Sequence, residues 1–113
     1  LDEISPYAKT DIVELTNGKI TESILNPKDF EIKADNFENI IGKDPEYNAG
    51  KIREIFEGKD NDFSIAVCLN AAAGLVVAEK SKSLRDGYQD LRKHILSGDV
   101  LNHISKLAEW QIL

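Results

Sequence analysis

Methionine is missing from this 113-residue chain, and cysteine and tryptophan occur once each. A lone Cys68 excludes an internal disulfide, so the fold must rest on packing and hydrogen bonds. Cys68 lies in an apolar run, which points to a small packed hydrophobe and a reducing compartment. Positive charge is in deficit as well. Fourteen Lys and Arg face 20 Asp and Glu, for a net charge of -6. Binding to a phosphate backbone needs the opposite balance, so the sequence argues against nucleic acid as a partner. No stretch reads as a secretory leader. The longest apolar run, near 63–78, is interrupted by Asn70 and contains Ala and Gly, which suits a buried helix and not a membrane span. There is no glycine-rich phosphate cradle, no Gly-x-Ser-x-Gly and no paired-cysteine motif, so no self-contained active site is expected.

What is present is the composition of one folded domain, 42% hydrophobic and 30% charged. Residues 11–25 read as a β-hairpin. Ile12-Val13-Glu14-Leu15 and Ile20 to Leu25 flank Asn17-Gly18, a pair suited to the positive φ angles of a type I′ turn. One face of each strand is expected to be buried, and the hairpin needs more sheet or helices to lean on. Residues 26–30 close it as a turn. Residues 31–44 are polar and irregular, anchored by Phe37, Ile40 and Ile41. A helix is expected over 45–57, capped by Asp44 or Asn48, with Pro45 in its first turn and Gly58 after its end. The helix over 62–80 has almost no polar face and is expected to be buried on all sides. A third helix starts after Ser83, with Asp86 completing a variant capping box and Gly98 stopping it. The last helix is capped by Asp99, with Val100, Leu101, Ile104, Leu107, Ala108 and Trp110 turned inward. Within these residues the fold class is α+β: one hairpin and about four helices.

The chemistry-bearing residues are few. Asp2 and Glu3 stand between Leu1 and Ile4 and are followed by Ser5-Pro6. Magnesium takes oxygen ligands in octahedral geometry, commonly one or two carboxylates completed by water and substrate phosphate. Adjacent strand residues point to opposite faces, so two neighbouring acids share one ion only in a turn. Ser5-Pro6 favours such a turn. Asn70 is an amide within an apolar helix and must find partners there. It either bonds a neighbouring loop backbone for structure alone or positions an active-site loop. His94 and His103 have no second donor at metal-ligand spacing and read as surface residues. The acidic stretch from Glu54 to Asp62 lacks the spacing of a calcium loop and reads as a helix end.

Taken in order, Leu1-Asp2-Glu3-Ile4-Ser5-Pro6, Val13-Glu14-Leu15, Asn17-Gly18, Pro27-Lys28-Asp29-Phe30, Asn48-Ala49, Phe56-Glu57-Gly58, Leu69-Asn70-Ala71-Ala72-Ala73 and Ser97-Gly98 form a set that closely resembles the C-terminal third of the anthranilate phosphoribosyltransferase family. The resemblance spans essentially the whole chain. It implies a cytoplasmic transferase of tryptophan biosynthesis that joins anthranilate to phosphoribosyl pyrophosphate, with Mg2+, and releases pyrophosphate. It implies that Asp2 and Glu3 are the metal ligands. It also implies an α/β parent domain of which residues 1–113 are the C-terminal segment, and a homodimer formed through an N-terminal helical domain. The family's Gly-Thr-Gly-Gly-Asp loop, its Lys-His-Gly-Asn segment and its anthranilate-holding residues have no counterpart in these 113 residues. The segment alone is therefore expected to be inactive. With no methionine and no strand ahead of its acid pair, the chain is expected to be part of a larger protein. A truncated non-catalytic module that joins a partner and a nucleoside phosphorylase-like protein are the alternatives.

Overall fold

The computed structural model describes residues 3–34 and 36–110. Two antiparallel strands, β1 (Thr10–Thr16) and β2 (Lys19–Leu25), lead into four helices among these residues: α1 (Pro45–Phe56), α2 (Asp62–Val77), α3 (Leu84–Leu96) and α4 (Asp99–Trp110). Short 3-10 turns at Pro27–Phe30 and Phe37–Ile40 bridge the hairpin and α1. The α+β expectation holds. The second helix stops at Val77 and not at 80, because Glu79 turns to a φ of 56°.

The hairpin turn has the expected chemistry. Asn17 and Gly18 take φ values of 51° and 75°, the left-handed pair that a type I′ turn requires. The register runs from Thr16 opposite Lys19 to Thr10 opposite Leu25. Because opposed residues share a face, Ile12 and Leu25 point one way, while Val13, Leu15, Ile20 and Ile24 point the other. Leu25 is buried and Ile12 packs against the core from its edge. The four residues of the opposite face are each more than 60% exposed. The expected burial of one face is thus confined to the base of the hairpin, and the more apolar face is the open one. Among the described residues no third strand joins the sheet.

The core is made where α2 meets α3. Cys68, Leu69 and Ala72 of α2 and Tyr88 and Ile95 of α3 are buried together, with Ile55 of α1, Leu25 and Ile32 beside them. Gly87 permits the close approach of the two helices, since a Cβ there would lie 3.3 Å from the Cβ of Ala72. The expectation that α2 is buried on all sides is corrected. Val67 is 42% and Val77 85% exposed, because the other helices and the hairpin base cover one side only. The expected inward face of α4 is corrected too. Val100 in its first turn packs on the core, but Leu107 is half exposed and Ala108 is exposed. The side chain of Trp110 lies outside the described residues. The Cα radius of gyration, 15.3 Å, exceeds the roughly 13 Å of a compact domain this long, as an outlying hairpin and α4 require.

Helix starts follow local chemistry. Asp44 caps α1 by accepting from the Tyr47 N–H at 2.8 Å, while Asn48 brackets Lys43 through both its N–H and its C=O. Ser83 accepts from the Asp86 N–H as expected, but Asp86 answers the Ser83 hydroxyl and not its backbone. The reciprocal capping box is at Asn61 and Ser64, ahead of α2. Asp99 is the first residue of α4 and not its cap.

Candidate functional site

Residues 3–9 form an irregular, bend-rich loop ahead of β1. Its conformation is fixed by side chains. The Ser5 hydroxyl accepts from the backbone N–H groups of Tyr7 and Ala8, at 3.1 and 3.2 Å, and Thr10 Oγ1 accepts from the Ser5 N–H. Ser5 and Pro6 are buried by this wrapping. The Ser-Pro turn expected after the acid pair is present.

Two points on α2 hold the loop. Asn70 Oδ1 accepts from the Ile4 N–H at 2.8 Å, and Asn70 Nδ2 donates back to the Ile4 carbonyl at 2.9 Å. The second Nδ2 proton goes to the Ala66 carbonyl one turn earlier, at 3.0 Å. Both ends of the amide are thereby used, as burial in an apolar helix demands. The second point lies eight residues earlier, about 12 Å along the helix axis at 1.5 Å per residue. There Asp62 Oδ2 accepts from the Tyr7 hydroxyl at 3.0 Å and from Asn39 Nδ2 at 2.7 Å. Tyr7 also meets Phe37 edge-on, with ring centroids 6.0 Å apart.

Above this loop opens a cleft of about 600 Å3, lined by Glu3, Ser5, Tyr7, Lys9, Asp11 and Phe37 among others. Glu3 is exposed at its edge. Asp2 lies outside the described residues. Among the described residues no group of three or more His, Cys, Asp and Glu comes together to enclose a metal. That leaves an open carboxylate, and its chemistry suits magnesium. Glu3 offers a hard oxygen donor that solvent reaches, on a backbone that is already fixed, and magnesium leaves most of its positions to water and phosphate. His94 and His103 are exposed; His94 Nδ1 lies 4.0 Å from Asp99 Oδ2, but among the described residues neither histidine belongs to a group of three or more metal donors. Cys68 is fully buried, and burial pushes its thiol above its ordinary pKa, so it is a packing residue and not a nucleophile.

Asn70 was legible as an oddity. Asp62, Tyr7 and Asn39 were not, because their meeting depends on how the 3-10 turn at Phe37–Ile40 lies beside the start of α2. A second polar group was missed as well. Ser64 is fully buried; its hydroxyl donates to the Asn61 carbonyl and accepts from Arg92 Nη1 at 2.9 Å, while Arg92 Nη2 pairs with Asp60. Asn61 and Ser64 at capping-box spacing were the available signal.

Residues 1–101 match the glycosyl transferase family, a/b domain. The chain belongs to this family. It is 52% identical over 107 residues to the anthranilate phosphoribosyltransferase of Pelagibacter ubique (strain HTCC1062), covering 95% of the chain and 32% of that protein. Against the anthranilate phosphoribosyltransferase of Myxococcus xanthus (strain DK1622) it is 38% identical over 110 residues, covering 96% of the chain and 32% of the relative. Against that of Pseudoalteromonas translucida (strain TAC 125) it is 37% identical over 109 residues, covering 96% and 31%. The chain spans about a third of the length of these curated relatives. The glycosyl transferase match takes in the acid pair, the strapped loop, the hairpin and α1 to α3, and ends within the first turn of α4. No helix among the described residues is long and apolar enough to cross a membrane.

Proposed function

We propose that this chain is the C-terminal third of an anthranilate phosphoribosyltransferase, a cytoplasmic enzyme of tryptophan biosynthesis that transfers phosphoribose from phosphoribosyl pyrophosphate to anthranilate and releases pyrophosphate. The observation that carries the reading is the 52% identity over 107 residues to a protein of that name. Asp2 and Glu3 are the residues that would hold magnesium. The ion would supply positive charge toward the pyrophosphate group that leaves. The chain's own contribution is a fixed corner. Asn70, Ser5 and Thr10 set the backbone on which Glu3 sits, and the exposed carboxylate stays accessible to an incoming anion. A net charge of -6 offers no other strong attraction for a polyphosphate, so a bound cation fits the needs of such a substrate.

The remaining two thirds of the enzyme would bring the glycine-rich phosphate loop, the anthranilate contacts and the helical domain through which a homodimer forms. Catalysis then belongs to the whole enzyme, and the 113 residues alone are inactive on this reading, because their sequence holds no glycine-rich phosphate loop. The test uses the intact enzyme and the 113-residue segment side by side, following the loss of anthranilate fluorescence with phosphoribosyl pyrophosphate and magnesium. The expected result is turnover by the former and none by the latter. An intact polypeptide that leaves anthranilate untouched while cleaving nucleosides with phosphate would overturn the reading.

A further inference from the structure

We infer that Asn70 is a positioning residue for the metal-holding acid pair, acting through the backbone of Ile4. The inference rests on the reading that Asp2 and Glu3 hold magnesium. Its basis is which peptide groups Asn70 grips. The Ile4 N–H belongs to the peptide whose carbonyl is that of Glu3, and the Ile4 carbonyl belongs to the next peptide. Holding both, at 2.8 and 2.9 Å, fixes the planes on either side of Ile4 and so fixes the backbone from which the Glu3 carboxylate projects. Among side chains of this length, only a primary amide offers a donor and an acceptor side by side in the way a paired strand does.

The third bond gives the amide its direction. With one Nδ2 proton committed to the Ala66 carbonyl, the amide cannot flip without losing that bond, so Oδ1 stays on the Ile4 N–H. Asn70 also sits in mid-helix, on the most rigid kind of support, flanked by the fully buried Leu69 and, two residues on, Ala72. The Tyr7–Asp62 bond ties the same loop to α2 at a second point, four residues on from Glu3.

The test is made in the intact enzyme with Asn70→Asp and Asn70→Ala. Asn70→Asp has the same shape and keeps the acceptor for the Ile4 N–H, but loses the donor to the Ile4 carbonyl. Binding is read with Mn2+ alone by electron paramagnetic resonance, and the Mg2+ concentration for half-activation is read beside it. Residues that orient metal ligands typically change metal affinity by about 10–100-fold. A weakening of about tenfold is expected for both variants, with the KM for anthranilate unchanged. Asn70 variants that melt earlier but bind Mn2+ as the parent does would show a merely structural role and overturn the inference. Glu3→Gln and Asp2→Asn separate the two levels. If they leave Mn2+ affinity unchanged, the metal reading fails. If they weaken it and the Asn70 variants do not, the positioning role alone fails. Should the Asn70 variants not fold, amide exchange in the parent decides: protection of the Ile4 N–H supports the clamp, and exchange at the rate of a free amide removes it.

Discussion

The hairpin and the α2–α3 pair reach their structures by opposite routes. The hairpin is specified by its turn. Asn17 and Gly18 take the left-handed angles, the register follows, and four large apolar side chains on one face stay exposed. The helix pair is specified by fit. Leu69, Cys68 and Ala72 meet Tyr88 and Ile95 with Gly87 at the point of closest approach, and a buried polar group closes the interface. The difference teaches where the energy lies. Local chemistry fixes a strand pairing at little thermodynamic gain, whereas the helix interface supplies most of the apolar burial that stabilises this segment.

The sharpest way to expose that difference is Leu69→Ala. Leu69 is fully buried, and truncation there should cost about 3–5 kcal/mol by lost transfer energy and the cavity left behind. The measurement is the shift in urea midpoint. A loss under about 1 kcal/mol would mean that α2 and α3 collapse into the gap, and that the interface is far softer than its packing indicates.

Ser64→Ala should come next, at about 1–3 kcal/mol. The change leaves the Asn61 N–H without its acceptor and removes one of the bonds on Arg92. Burial disfavours the charge of Arg92, yet its hydrogen bond and ion pair with Asp60 hold its pKa above the ordinary value. The guanidinium therefore stays charged and cannot escape the lost bond by releasing a proton. Denaturant titration of Ser64→Ala against the parent reads the cost. An effect within 0.5 kcal/mol would show that water replaces the hydroxyl.

Much of this architecture was legible in the sequence, for reasons that differ by element. The Asn17-Gly18 turn and the Asp44 and Ser83 caps are local patterns and need no tertiary knowledge. The exposure of Val67 and Val77 was not legible, because an apolar helix reports that it can be buried and not how much of its surroundings a given segment supplies. The site divides in the same way. Asn70 was conspicuous as a polar residue in an apolar run, and its partner was open between a loop backbone and an active-site loop. The structure shows the first alternative, a loop backbone: Asn70 grips Ile4, the residue after Glu3. The Tyr7–Asp62–Asn39 meeting joins residues up to 55 apart in sequence and leaves no local pattern.

The smallest expected effect is the one that tests the open side of the comparison. Leu15 is 70% exposed and stands opposite Ile20 on the outer face of the hairpin. In the 113-residue segment, Leu15→Ala removes little buried surface and should change stability by no more than about 0.5 kcal/mol, since substitutions on an exposed surface rarely do more. The same substitution in the longer polypeptide proposed above measures what further chain would add. If two thirds more chain lays apolar surface over Val13, Leu15, Ile20 and Ile24, the cost rises toward the roughly 2–5 kcal/mol of a core leucine. If the face stays open, the cost is equally small in both. A large cost already in the isolated segment would show that the hairpin's outer face is covered there, by self-association of the segment, and sedimentation of the parent segment at several concentrations would then reveal the oligomer. The pair of measurements thus decides whether the hairpin is marginal by nature or is completed by the further chain of the proposed longer enzyme.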